Sequence, residues 1–488
     1  MTRLLWSALA LVAFVVLATA NSGGYRYGVS DQAYYLPAVE QHLDADLFPR
    51  DATLLDAQSR LMTVDDLTAA LRHVTGASME TMALVVYLAS LVLLGLASAA
   101  LARGLRFPWW TVAAFGLLLT FRHRIAKTGA NSIEGYMHPR QLAFGVGVAA
   151  LACFVRARPW WGAGLLAAAA LLHPTTALWF ILLVACGHLA WAREWRRSWI
   201  VAAAAAGLVA VWAVTAGPLD GRLVTMDGRW LSVLAEKDYL FPTDWTADVW
   251  ALNLLYPLVI VAVWQVRIRR GDAVPAETVL AWGALGLTLI FLLTLPLTAL
   301  RLALAVQLQI SRVFWILDFL ALGYLAWAIT RSTRWAPVVV AVLTLASLGR
   351  GYYLLEHYAP ERTLAQVSLP NTPWTDAMTW LRGQPEDWHV LADPGHAWKY
   401  GSSVRVAAGR DTVLESVKDS AIALYDPAIA ARVSARIDDL VDYEQLTDSR
   451  ARALDAEYDL DVVITEITQP LNLPVLYRNT QFVIYDVR

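Results

Sequence analysis

The chain has 488 residues, of which 58% are hydrophobic and only 16% are charged, and its mean hydropathy is +0.47. Soluble domains average about 45–50% apolar and about 25% charged residues, so this composition excludes a soluble single-core protein, a disordered chain and a coiled coil. The 39 basic and 41 acidic residues give a net charge of −2. Because the chain lacks the overall positive field that attracts nucleic acid, we expect no nucleic-acid partner.

Apolar runs of membrane-spanning length recur along the first 350 residues. A helix needs about 20 apolar residues to cross a bilayer, so we split the long run 159–192 at Pro174. This predicts an all-α polytopic membrane domain over residues 1–350, with about 11 transmembrane helices. The predicted spans cover 4–20, 80–102, 107–121, 141–156, 159–173, 174–192, 198–216, 250–266, 277–299, 313–330 and 335–350.

Basic residues between the spans set the orientation, because cytoplasmic loops carry an excess of Lys and Arg. Arg3 precedes the first span, and alternate short loops carry Arg103, Arg106, Arg156, Arg158, Arg193, Arg196, Arg197, Arg267, Arg269, Arg270, Arg331 and Arg334. We expect a multi-pass protein of a bacterial plasma membrane with a cytoplasmic N-terminus. The alternative for residues 1–20 is a cleaved signal peptide, which leaves the sidedness of the other spans unchanged.

Four polar stretches then face the outer side, namely the loops 21–79, 122–141 and 217–249 and a C-terminal domain over 351–488. In the first loop, Ser30 predicts a helix N-cap with Asp31 in the first turn. Leu36, Val39 and Leu43 follow on one face, which is typical of a helix lying along the membrane surface.

A second short helix is predicted from Thr63 to a glycine stop at Gly76, with Asp66 completing a capping box. The main chemical question in this loop concerns Asp31. A carboxylate held at the membrane surface can act as a general base, and the alternative is that Asp31 only caps its helix.

The segment Ser30-Asp31-Gln32-Ala33-Tyr34-Tyr35 resembles the first-loop signature of the C-type (GT-C) superfamily of polytopic membrane glycosyltransferases, in which an acid after the first span is followed closely by Tyr. The family's second acid is Gln32 here. The resemblance implies a catalytic role for Asp31, a polyprenyl-phosphate sugar donor and a soluble outer domain. We also predict that Tyr34 and Tyr35 contact substrate.

The second outer loop carries basic residues on the side that should be depleted of them. They are Arg122, Arg124, Lys127 and Arg140, and they predict an anionic ligand such as a lipid-linked phosphate. His138 and Arg140 flank Pro139, which suits the first turn of the next helix. The alternatives are lipid headgroups, pairing with outer acids, or an error in the topology.

Glu134 in the same loop is a candidate second acid or metal ligand. The alternative is that it is simply an exposed glutamate of a loop.

Segment 297–312 joins two spans through an apolar stretch with spaced polar groups, which predicts a surface-lying or re-entrant helix. Arg312 would clamp a phosphate there, with Arg301 and Gln309 also contacting the ligand. Snorkelling to headgroups is the alternative for the two arginines.

Two further polar residues lie in or beside spans. Asp318 is expected to pair with a nearby arginine, and His173 is placed either at a cavity or simply at a helix end.

The outer domain contains predicted strands and helices. The strands are 388–392, 403–407, 459–465, 475–478 and 482–485, and the last two form a closing hairpin. The helices are 427–441 and the stretch around Trp380. Helices mixed with short strands indicate a small α/β domain.

Together these features predict a membrane glycosyltransferase acting at the outer leaflet. Asp31 would be its base, and Arg140 and Arg312, with Lys127 and Arg124, would stabilise the departing lipid phosphate. The acceptor would be a lipid, a glycan or a protein, and a divalent metal cofactor remains open. The alternatives are a flippase or transporter of an anionic lipid or glycan, and a non-catalytic membrane assembly protein.

Overall fold

The computed structural model of the chain describes residues 2–191 and 196–488, and Arg193 of the predicted basic loops lies outside the described residues. The N-terminal two-thirds is helical. Its helices are α1 Thr2–Asn21, α2 Gln32–Leu43, α3 Ala52–Ser59, α4 Val64–Thr75, α5 Met79–Gly104, α6 Trp109–Thr120, α7 Pro139–Val155, α8 Pro159–Leu172, α9 Pro174–Ala190, α10 Arg196–Thr215, α11 Gly228–Val233, α12 Ala247–Arg270, α13 Pro275–Ala299, α14 Ala303–Gln307, α15 Val313–Thr330 and α16 Ala336–Tyr353.

The C-terminal part mixes helices and strands, as predicted. Its helices are α17 Pro373–Arg382, α18 His396–Lys399, α19 Val404–Ala408, α20 Ser416–Ile422, α21 Pro427–Asp439 and α22 Asp448–Tyr458. The strands of the whole chain are β1 Tyr25–Arg26, β2 Arg124–Ile125, β3 Ala130–Asn131, β4 Ala365–Gln366, β5 His389–Leu391, β6 Asp411–Thr412, β7 Val462–Glu466, β8 Val475–Arg478 and β9 Phe482–Asp486.

Each of the eleven predicted spans coincides with a helix, and the chain is an integral membrane protein by the length and apolar character of these helices. Among the described residues, six helices are long and apolar enough to cross a bilayer: Met79–Gly104, Arg196–Thr215, Ala247–Arg270, Pro275–Ala299, Ala303–Thr330 and Ala336–Tyr358. Others are shorter, and the 12 residues of α6 rise only about 18 Å at 1.5 Å per residue, less than the hydrocarbon core of about 30 Å. The total number of spans therefore stays a prediction.

The chain forms two compact units. The first contains residues 1–25, 85–225 and 238–365, and the second contains residues 26–84, 226–237 and 366–488. Most of the first outer loop thus belongs to the same unit as the C-terminal α/β part. The sequence predicts a domain boundary near residue 350, because the chain is expected to leave the membrane there. The two units are defined by contacts between residues, so the boundary between the membrane and outer domains stays a prediction.

Helix packing in the first unit depends on glycines at close crossings. A side chain at Gly187 of α9 would meet the carbonyl oxygen of Val279 on α13 at 2.1 Å. A side chain at Gly283 of α13 would meet the carbonyl oxygen of Leu183 on α9 at 2.3 Å. Small residues of this kind let membrane helices approach closely, and here they fix the contact between α9 and α13.

The core of the second unit is a five-stranded sheet with the order β6-β5-β7-β9-β8. β5 is parallel to both β6 and β7, whereas β9 is antiparallel to β7 and forms a hairpin with β8. The strands predicted over 388–392 and 459–465, the closing hairpin and the two helices are confirmed. The side chains of Trp374, Met378, Val390, Ile464 and Ile484 are buried together in this core.

The strand predicted over 403–407 is wrong, because these residues form the short helix α19. The Ser403 hydroxyl accepts a hydrogen bond from the Val406 amide at 3.2 Å, and Gly409 ends the helix with a φ of 67°. A serine cap and a glycine stop therefore outweigh the strand preference of the two valines. Val404, Val406 and the other residues of α19 are all buried, so the segment lacks the alternation of buried and exposed side chains that is typical of a half-buried strand.

The first-loop helix differs from its prediction in its start and its surroundings. α2 begins at Gln32, Ser30 has a φ of 56°, and Asp31 occupies the N-cap position without a side-chain capping bond. α2 contacts α3, α4 and α19 of the same unit, and its residues Leu36 and Val39 are buried whereas Leu43 is exposed, so most of the predicted membrane face is covered by protein. The second helix, α4, follows Thr63 and ends at a left-handed glycine, as expected, but the predicted capping box is wrong, because the Thr63 side chain makes no capping bond.

Candidate functional site

The predicted site residues divide between the two units. Asp31, Tyr34 and Tyr35 belong to the second unit. All the others belong to the first unit, namely Arg124, Lys127, Glu134, His138, Arg140, Arg301, Gln309 and Arg312. The meeting of Asp31 with Arg140 and Arg312 around one ligand therefore stays a prediction.

The loop before α7 holds Glu134 and Arg140 together. The antiparallel pair β2–β3 folds this loop into a hairpin, which places Asn131 next to the buried Glu134. One carboxylate oxygen of Glu134 accepts a hydrogen bond from Asn131 Nδ2 at 2.9 Å, and the other forms an ion pair with Arg140 Nη2. Arg140 Nη1 also donates to the Gly129 carbonyl at 3.1 Å. Glu134 is thus placed as an anchor for the Arg140 guanidinium.

The electrostatics of Glu134 fit this placement. Burial alone would raise its pKa, but the positive charges of Arg140, His138 and Arg122 lower the pKa below its ordinary value. The carboxylate is therefore ionised at neutral pH, and it is engaged by side chains of the protein on both oxygens. A carboxylate in that state is a poor proton donor.

The N-terminal ends of three long helices meet in the first unit. His138 is the N-cap of α7, His173 is the N-cap of α9, and Arg312 occupies the N-cap position of α15. Phe144 of α7 stacks on Trp315 of α15 with 4.1 Å between ring centroids. The same Phe144 ring lies 5.2 Å from the ring of Phe180 on α9, so the first two turns of all three helices pack together.

Four basic side chains lie at this meeting point, and we call His138, Arg140, His173 and Arg312 the cationic cluster. The charges of Arg312, His138 and Arg140 all act on the buried His173, so these three side chains lie within electrostatic range of His173. His138 Nδ1 accepts from the Arg140 amide at 3.2 Å. Positive helix ends together with two guanidinium groups form a surrounding that stabilises an anion.

Three other predicted basic residues have different surroundings. Arg124 is exposed on β2. Lys127 forms an ion pair with Asp238, and Arg301 Nη2 lies 3.1 Å from Asp244 Oδ2. Both acids belong to the predicted third outer loop. Pairing with outer acids was an alternative considered for Lys127 from the sequence, whereas the pairing of Arg301 was not predicted.

Segment 297–312 contains short buried helical turns. α14 is followed by Gln309 with a φ of 50° and then by a single 3₁₀ turn, Ile310–Arg312, that leads into α15. Gln307 accepts a hydrogen bond from Arg222 at 3.1 Å, and both side chains are buried. Arg222 was not predicted as a functional residue, because it lies in a long polar loop and belongs to no motif that distinguishes it from other loop arginines.

The sequence also missed His123. Its Nε2 lies 3.1 Å from Asp318 Oδ2, so Asp318 pairs with a histidine and not with an arginine as expected. Burial would lower the pKa of His123, but its hydrogen bond to Asp318 and the charge of that carboxylate raise the pKa above its ordinary value. The sequence did contain a feature that could have pointed to His123, because this residue lies between two arginines directly after an apolar helix.

In the second unit, the carboxylate of Asp31 is held by a lysine that the sequence did not single out. Lys418 Nζ donates to Asp31 Oδ1 at 2.7 Å and to the Ser30 hydroxyl at 3.3 Å. Lys237 lies in the same group, where burial and the charge of Lys418 lower its pKa. The ion pair with Lys418 favours the ionised carboxylate of Asp31, which is the form that accepts a proton.

Tyr34 and Tyr35 are buried in the second unit, with their ring centroids 4.2 Å apart. Burial raises the pKa of Tyr34, and the neighbouring Tyr35 and Asp31 raise it further. The Tyr34 phenol therefore remains protonated at neutral pH, and both rings are buried. Neither ring presents a large face to solvent.

A divalent metal was left open by the sequence. In the part of the chain that the structure describes, no group of three or more His, Cys, Asp or Glu side chains is placed to hold a metal ion. Glu134, the candidate ligand, is engaged by Arg140 and Asn131. The described residues therefore do not fit a metal centre.

Comparison with known proteins identifies the fold. No family model matches the chain. No curated protein matches it either. Among solved structures, the chain is similar to the oligosaccharyltransferase of Archaeoglobus fulgidus in its apo form, with a TM-score of 0.51 and 12% identity over 95% of this chain and 70% of that chain.

It is equally similar to the archaeal oligosaccharyltransferase AglB from Archaeoglobus fulgidus in complex with an inhibitory peptide and a dolichol-phosphate, with a TM-score of 0.50 and 12% identity over 95% of this chain and 69% of that chain. The chain therefore shares the fold of these two oligosaccharyltransferase structures, which confirms at the level of the fold the resemblance inferred from the first outer loop.

Proposed function

We propose that this protein is a membrane glycosyltransferase that transfers a sugar from a polyprenyl-phosphate donor to an acceptor at the outer leaflet. The observation that carries the proposal is the cationic cluster at three helix N-termini, within a fold shared with oligosaccharyltransferases. The lipid phosphate would bind there, because guanidinium forks and helix ends both favour phosphate oxygens.

In the reaction, the acceptor oxygen or nitrogen forms a bond to the anomeric carbon while the bond from that carbon to the phosphate oxygen breaks. Asp31 takes the proton of the acceptor, and the polyprenyl phosphate leaves with its negative charge. Arg140 and Arg312 stabilise this developing charge, which is the contribution that accelerates the chemical step. Lys418 keeps the base ionised and oriented.

The partners follow from the same comparison. One similar structure contains a dolichol-phosphate and an inhibitory peptide, which supports a lipid-linked donor here and makes a peptide the first acceptor to try among lipids, glycans and proteins. We further propose that the N-terminus is cytoplasmic, that the C-terminal domain faces outward, and that the membrane is a bacterial plasma membrane.

The test is incubation of the purified protein with radiolabelled polyprenyl-phosphate sugars and a panel of peptide, lipid and glycan acceptors. The proposal predicts label on an acceptor and release of polyprenyl phosphate. Movement of the labelled lipid across a liposome bilayer without sugar transfer would instead identify a flippase. The absence of both transfer and movement would indicate a non-catalytic assembly protein. Either of these two results, movement without transfer or the absence of both, would overturn the proposal.

A further inference from the structure

A cavity of about 280 Å³ opens in the second unit, at the carboxyl ends of two parallel strands. Asp393 lies two residues after the end of β5, and Glu466 is the last residue of β7. In open α/β sheets, ligands bind in the crevice outside the carboxyl ends of the strands. None of the site residues predicted from the sequence lines this cavity, and the cationic cluster belongs to the other unit.

The charged residues that line the cavity are unequal in number. They are three carboxylates, Asp393, Glu444 and Glu466, and one ammonium group, Lys399, so the difference is a net charge of −2. Lys399 Nζ lies 2.5 Å from Asp393 Oδ2 and 3.2 Å from Glu444 Oε1. Glu466 Oε1 accepts a hydrogen bond from the neutral Tyr400 hydroxyl at 2.8 Å. The one cation of the lining, Lys399, forms its ion pairs with the other two carboxylates.

The floor of the cavity is apolar, and its open wall is polar. Trp374 and Phe482 are only 2% and 1% exposed, so their rings close the bottom and offer little stacking surface. Among the charged residues of the lining, Lys399 and Glu444 are exposed and Glu466 is half-buried. The volume is at the lower limit of the about 300–1,000 Å³ that small-molecule sites usually have, so it suits one sugar ring or one side chain.

We propose that this cavity binds the ammonium or guanidinium group of a small ligand. Lys399 already supplies one positive charge to the lining, and a second cation beside Glu466 and Glu444 would bring the site close to neutrality. Two sources offer this chemistry, an amino sugar and a basic peptide side chain. A metal ion is a different ligand, and among the described residues no group of three or more His, Cys, Asp or Glu side chains is placed to hold one.

The experiment is isothermal titration of the purified full-length protein with small probes. Glucosamine represents the amino sugar and lysine amide represents the basic side chain, with N-acetylglucosamine as the uncharged partner of the first probe. We expect one charged probe to bind, and we expect its affinity to fall when salt screens the carboxylates. Which probe binds more tightly identifies the source of the ligand.

Glu466→Gln keeps the acceptor for Tyr400 and removes one charge, so we expect it to weaken probe binding about tenfold, as for the loss of a charge-assisted hydrogen bond. Glu444→Gln, at an exposed side chain that cannot endanger the fold, should weaken it in the same direction. Glu386→Gln, at an exposed position outside the cavity lining, is the matched control and should bind like the wild type.

Binding of N-acetylglucosamine as tight as that of the tighter charged probe would overturn the proposal. So would unchanged affinity in both cavity variants, or binding of neither charged probe. The measurement is one of binding and does not depend on sugar transfer, so its outcome is separate from that of the proposed function.

Discussion

Asp31 and Arg312 occupy N-cap positions of helices, one in each unit, and their roles as base and phosphate ligand were predicted from the sequence. The partners that position the site residues were not predicted. Lys418 is 387 residues from Asp31 along the chain, and His173 comes from a helix remote from Arg312 in sequence. Spacing rules describe neighbours on one helix, so contacts of this kind are beyond them.

Arg312 supplies the simplest test of the phosphate site, because it is only half-buried. Arg312→Ala removes one guanidinium from the cationic cluster and should raise the KM for a polyprenyl-phosphate donor about tenfold or more, the usual cost of a charge-assisted contact. Arg158→Ala, at an exposed arginine of a predicted cytoplasmic loop, is the matched control and should leave KM near the wild-type value. An unchanged donor KM in Arg312→Ala would remove Arg312 from the phosphate site.

Asp65 predicts a pH dependence of stability. Burial, with the neighbouring Asp66, raises its pKa to about 7, and neither carboxylate oxygen has a hydrogen-bond partner among the described residues. Because the folded pKa lies above the unfolded value of about 3.9, the stability contribution is present at low pH and is lost as the pH rises through about 7. Asp65→Asn should therefore melt at a higher temperature than wild type at pH 8, with a smaller difference at pH 5.

Thermal unfolding in detergent at the two pH values checks this expectation. Asp56→Asn, at an exposed position on the preceding helix, is the control and should show the wild-type pH dependence. A melting temperature of Asp65→Asn that follows the wild type at both pH values would show that the ionised carboxylate costs the fold nothing.

At the scale of elements, α12 and α13 are joined by a buried ion pair. Arg267 Nε lies 2.7 Å from Glu277 Oε2, and the two side chains are 1% and 0% exposed. The guanidinium also lies over the rings of Phe107 and Trp327, at 4.7 and 4.8 Å from their centroids. A pair this buried is costly to break, because one charge is then left unpaired at low dielectric.

Arg267→Met should therefore destabilise the first unit by about 3–5 kcal/mol, which is the usual result of removing one partner of a buried pair. The double variant with Glu277→Gln should recover part of this loss, since no uncompensated charge remains. Arg269→Met, at an exposed neighbour, is the control. Chemical unfolding in detergent gives the free energies, and equal stability of Arg267→Met and Arg269→Met would contradict the account.

The helices themselves were predictable because apolar runs bounded by Pro, Gly and Arg define them locally. The helix starts at Pro139, Pro159 and Pro174 agree with their predictions, since proline suits the first helical turn. The misassigned segment at Val404–Ala408 shows the limit. Its residues are buried on all sides, so the pattern of exposure that separates a helix from a strand was absent.

For the whole molecule, the sequence indicated a membrane part and an outer α/β part, and the structure adds that most of the first loop folds with the latter. Asp51 of that loop forms a buried ion pair with Arg405 at 2.7 Å inside the second unit. Composition and pattern indicated the helical part and the mixed α/β part, which the secondary structure shows. They could not assign the loop, because that assignment depends on pairings between residues more than 300 positions apart.

Sidedness is a prediction of the whole molecule and has its own test. With Cys153 and Cys186 replaced, a single cysteine at Ser449 should react with a membrane-impermeant maleimide on intact cells, because this residue is exposed in the part that we place outside. A single cysteine at Ser332, in a predicted cytoplasmic loop, should react only after lysis. The reverse pattern would invert the topology and move the proposed site to the cytoplasmic side.

The central claim is that Asp31 is the base of a sugar-transfer reaction, and single-turnover transfer by Asp31→Asn tests it most directly. With a donor and acceptor that the wild type uses, we predict a rate lower by about 10²–10⁴-fold, the usual contribution of a general base, with donor binding retained. Asp46→Asn, at an exposed residue of the same loop, should keep the wild-type rate. A wild-type rate in Asp31→Asn would contradict the account.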